Sequence, residues 1–191
     1  MEDIKVYSSW IEHEIKKKKY GKQPASLYEP ITYLMGLGGK RLRPMLTLLS
    51  YSLFKNNVKD IVPYAVAVEA FHNFTLMHDD IMDKAPLRRG NQTVHEKYGE
   101  PTALLAGDVM LVVAYDYLNK IRTNFLHKVI NLFNRMAKQV CEGQQLDMDF
   151  EKMESVSLDA YIRMIELKTS VLLGSSLKLG ALIGGAGEGN Q

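Results

Sequence analysis

Apolar residues recur along this chain at three- and four-residue spacing, the period of a helix with one buried face. Ile4, Tyr7, Ile11 and Ile15 open the pattern, and similar stripes run through residues 62 to 83, 102 to 119, 125 to 150 and 158 to 182. No convincing strand alternation interrupts them. Breakers fall at Gly21 to Pro24, in "MGLGGKRLRP", at Asn56 and Asn57, between Pro86 and Pro101, and around residues 151 to 157. Pro44 suits the first turn of a helix, where its missing N–H costs nothing. The pattern predicts an all-α fold of about seven helices, with one longer charged loop near residues 84 to 100. No repeat of roughly 20 to 50 residues is present, so a solenoid is not expected.

Length and composition narrow the class. The 191 residues lie near the top of the roughly 100 to 200 usual for one domain, so residues 1–191 are expected to form a single domain. At 46% hydrophobic and 24% charged, the chain is globular in composition rather than disordered or disulfide-stapled. A net charge of +2 says little about partners, and no nucleic-acid partner is expected. Cys141 is the single cysteine and cannot form an internal disulfide. The start, "MEDIKVYSSWIEHEIKKKK", alternates charged and apolar residues and reads as neither signal peptide nor anchor. "ALLAGDVMLVVAYDYL" and "VLLGSSLKLGALIGG" are interrupted by Asp108, Asp116 and Lys178. They fall short of the roughly 18 apolar residues of a spanning helix and read as buried core helices. A cytoplasmic location without stable membrane insertion is the expectation. Lys16 to Lys19 reads as a solvated helix end.

Candidate chemistry concentrates in "FHNFTLMHDDIMDKAPLRRG", residues 71 to 90. Asp79 and Asp83, four residues apart on a helix, sit nearly above one another, with Asp80 beside them. Left to themselves, three carboxylates near a helix's negative C-terminal pole repel one another, so a positive partner is expected. Oxygen ligands without cysteine favour a hard cation, and magnesium is commonly held by one or two carboxylates plus substrate phosphates. The alternative is a solvated acidic helix end. Val68, His72, Thr75 and Leu76 share the face of Asp79 and Asp83, which turns a histidine towards the same cavity. Glu69-x-x-His72 matches half of a di-iron carboxylate motif, but no second such pair exists in the chain.

Two basic clusters complement the aspartates. "GGKRLRP" sets Lys40, Arg41 and Arg43 after a glycine pair, and "LRRG" sets Arg88 and Arg89 just beyond the aspartates. Glycines let backbone approach an anion and arginines fork onto phosphate oxygens. Neither cluster has the spacing of a nucleotide fingerprint. Together with a magnesium-type aspartate helix they point to diphosphate.

At these positions the sequence resembles the trans-isoprenyl diphosphate synthases, the polyprenyl synthetase family, through "GGKRLRP", "HDDIMD", "RRG", "GEPTALLAGD", "GQQLD" and "KTS". The resemblance implies an isoprenoid synthase helical bundle, usually a homodimer, with a deep cavity between helices. It implies that Lys40, Arg43, His72 and Arg89 bind isopentenyl diphosphate. Asp79 and Asp83, supported by Asp80, would hold Mg2+ on an allylic diphosphate. Arg88, Gln144, Lys168 and Thr169 would contact that substrate or the developing cation, with Asp147 one turn beyond Gln144. The reaction implied is magnesium-assisted ionisation of the allylic diphosphate, followed by attack of isopentenyl diphosphate on the cation. Phe74 lies five positions before Asp79, with no insertion in "DDIMD"; this looks like a short-chain pattern, giving farnesyl or geranylgeranyl diphosphate. Helix geometry sets Thr75 about 40° and Phe74 about 140° round from Asp79, which would turn the smaller residue to the cavity.

The family's second aspartate-rich helix has no counterpart here, since no aspartate follows Asp159. The chain resembles the N-terminal portion of a synthase lacking the C-terminal helices, and its end, "GGAGEGNQ", has a linker's composition. Such a piece is expected to be inactive alone. The alternative reading is a non-catalytic diphosphate-binding subunit that modulates a full-length synthase.

Overall fold

Helix α1 (Glu2–Lys17) buries Tyr7, Ile11 and Ile15 along one face and leaves Ile4 exposed, in a computed structural model that describes residues 2–121 and 123–187. The chain divides into two compact units, Met1–Met45 with Asn57–Ile121, and Leu46–Asn56 with Arg122–Gln191. Their boundary falls inside α3 (Leu42–Ser52).

The first unit contains α1, α2 (Ala25–Gly36), the opening turn of α3, a 3-10 turn (Val58–Ile61), α4 (Val62–Met82), a hairpin, α5 (Val94–Tyr98) and α6 (Glu100–Leu118). Its centre is the packing of α4 on α6. Ala65, Val66, Ala67, Ala70, Phe71 and Met77 of α4 are buried, as are Ala103, Ala106, Gly107, Met110 and Ala114 of α6. The alanines and Gly107 among them let the two backbones approach. A Cβ on Gly107 would stand 2.2 Å from Nε2 of His78, whose ring crosses from α4 to lie 3.1 Å from the Leu104 carbonyl. Burial covers only one side of α6, for Leu104, Leu105 and Val112 are exposed. The helix has the length and composition of a membrane span but is 44% buried. The expected buried core helix thus buries one face and leaves the other exposed.

The charged loop expected near residues 84 to 100 is instead ordered. Two-residue strands β1 (Leu87–Arg88) and β2 (Asn91–Gln92) pair antiparallel, and α5 follows. Arg89 and Gly90 both have positive φ, 54° and 76°, the turn type whose twist matches paired strands. Strands this short carry no readable alternation, which is why the sequence pattern missed them.

The second unit contains the rest of α3, α7 (Thr123–Phe150), α8 (Leu158–Ile165), a π turn (Glu166–Ser170) and α9 (Val171–Gly184). Val129, Phe133, Met136 and Val140 form the buried stripe of α7. Ser157 caps α8 by accepting from the Ala160 N–H at 3.3 Å. The stripe over 158 to 182 is thus not one α-helix, because the π turn shifts its phase. Thr47 and Ser50 of α3 donate to the Ser176 and Leu177 carbonyls of α9, at 3.0 and 2.7 Å. The glycine-rich end begins at the C-cap of α9, and its residues 188–191 lie outside those described.

Candidate functional site

In the first unit, the loop between α2 and α3 meets the middle of α4. Arg43, in the first turn of α3, places Nη1 3.0 Å from Nε2 of His72. A guanidinium can only donate, so Nε2 accepts and the ring proton belongs on Nδ1. Burial, reinforced by the guanidinium groups of Arg43, Arg89, Arg88 and Arg41, pushes His72 down to about 3. At neutral pH it is an uncharged acceptor that orients Arg43 and presents Nδ1–H as a donor.

Arg89, in the hairpin turn, donates through Nη1 to the Gly38 carbonyl and lies against Gly39, where a Cβ would meet its Cζ at 3.0 Å. Lys40, next in the loop, is exposed. Of Lys40, Arg43, His72 and Arg89, expected to act together, Arg43 is thus brought to His72 on α4, and Arg89 from the hairpin to the loop that carries Lys40. Burial lowers the affinity of both Arg43 and Arg89 for their protons. Charge gathered in a partly desolvated place binds an anion more strongly than the same charge in water.

The aspartates do not form the open triplet expected from helix geometry. Asp80 is buried and takes both oxygens to Arg88, whose Nε and Nη2 lie 2.7 and 2.6 Å away. Arg88 Nη2 also stands 4.0 Å from Asp79 Oδ2. The hydrogen bonds to Asp80 hold the Arg88 proton more firmly, against its partial burial. Asp79 stays partly exposed, and Asp83 is an exposed C-cap whose N–H bonds the Asp79 carbonyl at 2.9 Å. Among the described residues no three acidic, histidine or cysteine side chains make a preformed metal cluster. What remains suits magnesium's habit of using one or two protein carboxylates and completing its shell with phosphate and water. Asp80 fits a supporting role and not a ligand's.

Thr75 turns its hydroxyl to the His72 carbonyl at 2.8 Å. Phe74 packs on Phe71 and edge-on to His78, with centroids 5.6 and 4.8 Å apart. Since His78 reaches α6, Phe74 lies on the α6 side of α4.

In the second unit, Lys168 and Thr169 occupy the π turn. Lys168 Nζ donates to Asp147 Oδ2 of α7 at 2.5 Å. The approach of α7 to the turn depends on Gly143, where a Cβ would come within 2.3 Å of the Lys168 backbone nitrogen. Gln144 is half-buried and Thr169 exposed. Asp147, one turn from Gln144, is therefore the anchor of the lysine.

Sequence reasoning missed three residues that build these groups. Arg41 is 4% exposed and ion-paired to Glu12 and Glu69; grouped with Lys40 and Arg43 in a basic cluster and given no role of its own, it points inward. Glu69, considered only within a metal motif, accepts from Arg41 and Asn73. A carboxylate inside the apolar run "AVAVEAF" was the available signal. Gly143 could be recognised only once the π turn was placed against it.

A family model described as polyprenyl synthetase matches residues 24–191. The chain is 42% identical over 190 residues to a geranylgeranyl diphosphate synthase of Methanosarcina mazei, covering 98% of this chain and 59% of that protein. It is 41% identical over 172 residues to a short chain isoprenyl diphosphate synthase of Methanocaldococcus jannaschii, covering 90% of this chain and 52% of that one. The crystal structure of a geranylgeranyl pyrophosphate synthetase from Pyrococcus horikoshii superposes with a TM-score of 0.92 at 34% identity, over 98% of this chain and 58% of that chain. The chain thus spans between half and three-fifths of the length of these relatives, and shares their all-α isoprenoid synthase fold. With a family model covering most of its length and relatives of this identity along nearly all of it, the chain belongs to the polyprenyl synthetase family.

Proposed function

We propose that the protein condenses isopentenyl diphosphate with an allylic diphosphate to give a short-chain prenyl diphosphate, farnesyl or geranylgeranyl. The observation that supports this most is the contrast between two positions along α4. At its middle, His72 meets the guanidinium of Arg43 from α3, and at its C-terminal end stand Asp79 and Asp83, the first about 10 Å further along the helix axis. The basic position suits a bare diphosphate and the acidic one a diphosphate that arrives with a divalent cation.

Asp79 and Asp83 would hold Mg2+, which when bound neutralises charge on the leaving diphosphate. Arg88, already fixed by Asp80, adds a guanidinium beside the same oxygens and stabilises negative charge as it develops. Lys40, Arg43, Arg89 and the Nδ1–H of His72 orient isopentenyl diphosphate for attack through its double bond. The allylic carbon–oxygen bond breaks to release diphosphate, the attack forms the new carbon–carbon bond, and a proton is then lost to the departing diphosphate to regenerate an alkene. For Lys168, Thr169 and Gln144, the family resemblance supports a role towards the allylic substrate. Phe74 supports the short-chain assignment, and the homodimer usual in the family is proposed for the whole protein.

The test is incubation with labelled isopentenyl diphosphate, magnesium and a geranyl or farnesyl primer, with products separated after dephosphorylation. Elongated, magnesium-dependent product supports the reading. With no aspartate after Asp159, a polypeptide of these residues alone is best tested by binding, where isothermal titration with isopentenyl diphosphate should give saturable uptake. Absence of uptake would defeat the proposal.

A further inference from the structure

Arg41 holds an unusual position in the basic loop. Its backbone has φ 47°, a left-handed conformation disfavoured for a residue with a side chain. Its guanidinium is taken out of water and donates to three protein groups: Nε to Glu12 at 2.8 Å, Nη1 to Glu69 at 2.8 Å, and Nη2 to the Met35 carbonyl at 2.7 Å. The Glu69 side chain is itself only 3% exposed. Burial works against the Arg41 charge, yet the bonds to Glu12 and Glu69 more than compensate. Buried ion pairs add little to stability compared with apolar residues of the same shape. Strained backbone persists where surrounding structure over-determines it, commonly beside a functional site. Neither cost has a return in packing alone.

The return lies in what the network joins. Met35 is in the last turn of α2, Glu12 in α1 and Glu69 in α4, so one side chain ties the loop to three helices. Glu69 also accepts from Asn73 Nδ2 at 3.2 Å. Three residues beyond Glu69 on the same helix stands His72, which takes Arg43. The loop is thereby fastened to α4 twice, through Arg41 to Glu69 and through Arg43 to His72.

Resting on the function proposed above, we infer that Arg41, with Glu69, is a positioning residue: it touches no substrate but sets the loop so that Lys40 and Arg43 present their charges to the diphosphate of isopentenyl diphosphate.

The test replaces the pair by apolar residues, Arg41→Met with Glu69→Leu, in the protein carrying this chain. Thermal unfolding should stay near that of the unsubstituted protein, since no buried charge is stranded at position 69. Amide hydrogen exchange of residues 38 to 43, without ligand, should accelerate severalfold. KM for isopentenyl diphosphate should rise about tenfold, as a small misplacement of charged groups can cost that or more. KM for the allylic primer and kcat should hold. If the double variant does not fold, Arg41→Lys carries the same expectation, because one ammonium cannot span the three acceptors. Unchanged exchange and unchanged KM in either folded variant would overturn the inference. Exchange is read without substrate, so it judges the loop separately. If the unsubstituted protein binds no isopentenyl diphosphate while exchange still responds, the functional reading fails and the positioning device stands.

Discussion

Arg88 grips Asp80 with two parallel hydrogen bonds, 2.7 and 2.6 Å long, and so withdraws the middle aspartate of "DDIMD" from the surface. Removing one partner of a buried pair strands the other charge, at roughly 3–5 kcal/mol where both are fully buried. Arg88 retains 22% side-chain exposure, so Arg88→Ala should cost less, about 2 kcal/mol. Denaturant unfolding measures it. Arg88→Lys should recover little, because an ammonium cannot reproduce the two-bond fork.

The same relationship separates the three aspartates in metal binding. Titration with magnesium pyrophosphate should show Asp79→Asn and Asp83→Asn each weakening binding at least about tenfold, the scale at which even indirect partners of a metal matter. Asp80→Asn should weaken it less and lower stability more. Equal loss from all three would mean that Asp80 leaves Arg88 to join the metal.

His72 makes a prediction about pH. Burial and the neighbouring guanidinium groups hold it to about 3 in the folded chain, against an ordinary value of about 6.5 when unfolded. Between these values the unfolded chain binds a proton that the folded chain does not, so stability falls as pH drops from about 6.5 towards about 3. His72→Gln, which keeps an acceptor for Arg43, should remove that part of the slope. In nuclear magnetic resonance, the His72 ring signal should show no titration down to about pH 4.

Gly143→Ala should be poorly tolerated, because its methyl group would meet backbone 2.3 Å away and not a movable side-chain end. The expected loss is about 1–3 kcal/mol, typical of overpacking. Lys168 should be displaced from Asp147, which a crystal structure of the variant would record.

Phe74→Ala removes the ring that packs on Phe71 and His78. Product analysis on active protein should shift towards longer chains, and an unchanged product would move attention to Thr75.

Helix period and motif spacing were legible because they are local properties. The stripes Tyr7–Ile11–Ile15 and Val129–Phe133–Met136–Val140 announce their buried faces through spacing alone. The aspartates and the two basic clusters are local in the same way, and the diphosphate and hard cation of the proposed reaction were read from their residue types and spacing. The direction of each charged side chain was not legible. Lys40, Arg41 and Arg43 look alike in sequence, yet Lys40 is exposed, Arg41 is buried on Glu69 and Arg43 donates to His72. Asp79, Asp80 and Asp83 look equally alike, yet only Asp80 meets Arg88 in a two-bond fork. The difference is made by partners 28 and 8 residues distant, and by the cost of leaving a charge in a dry place without one. The sequence by itself determined which charged and apolar residues are present and how they are spaced; which charges stay open to solvent and which hold the others in place was decided by tertiary structure, because desolvation acts only after the chain has folded.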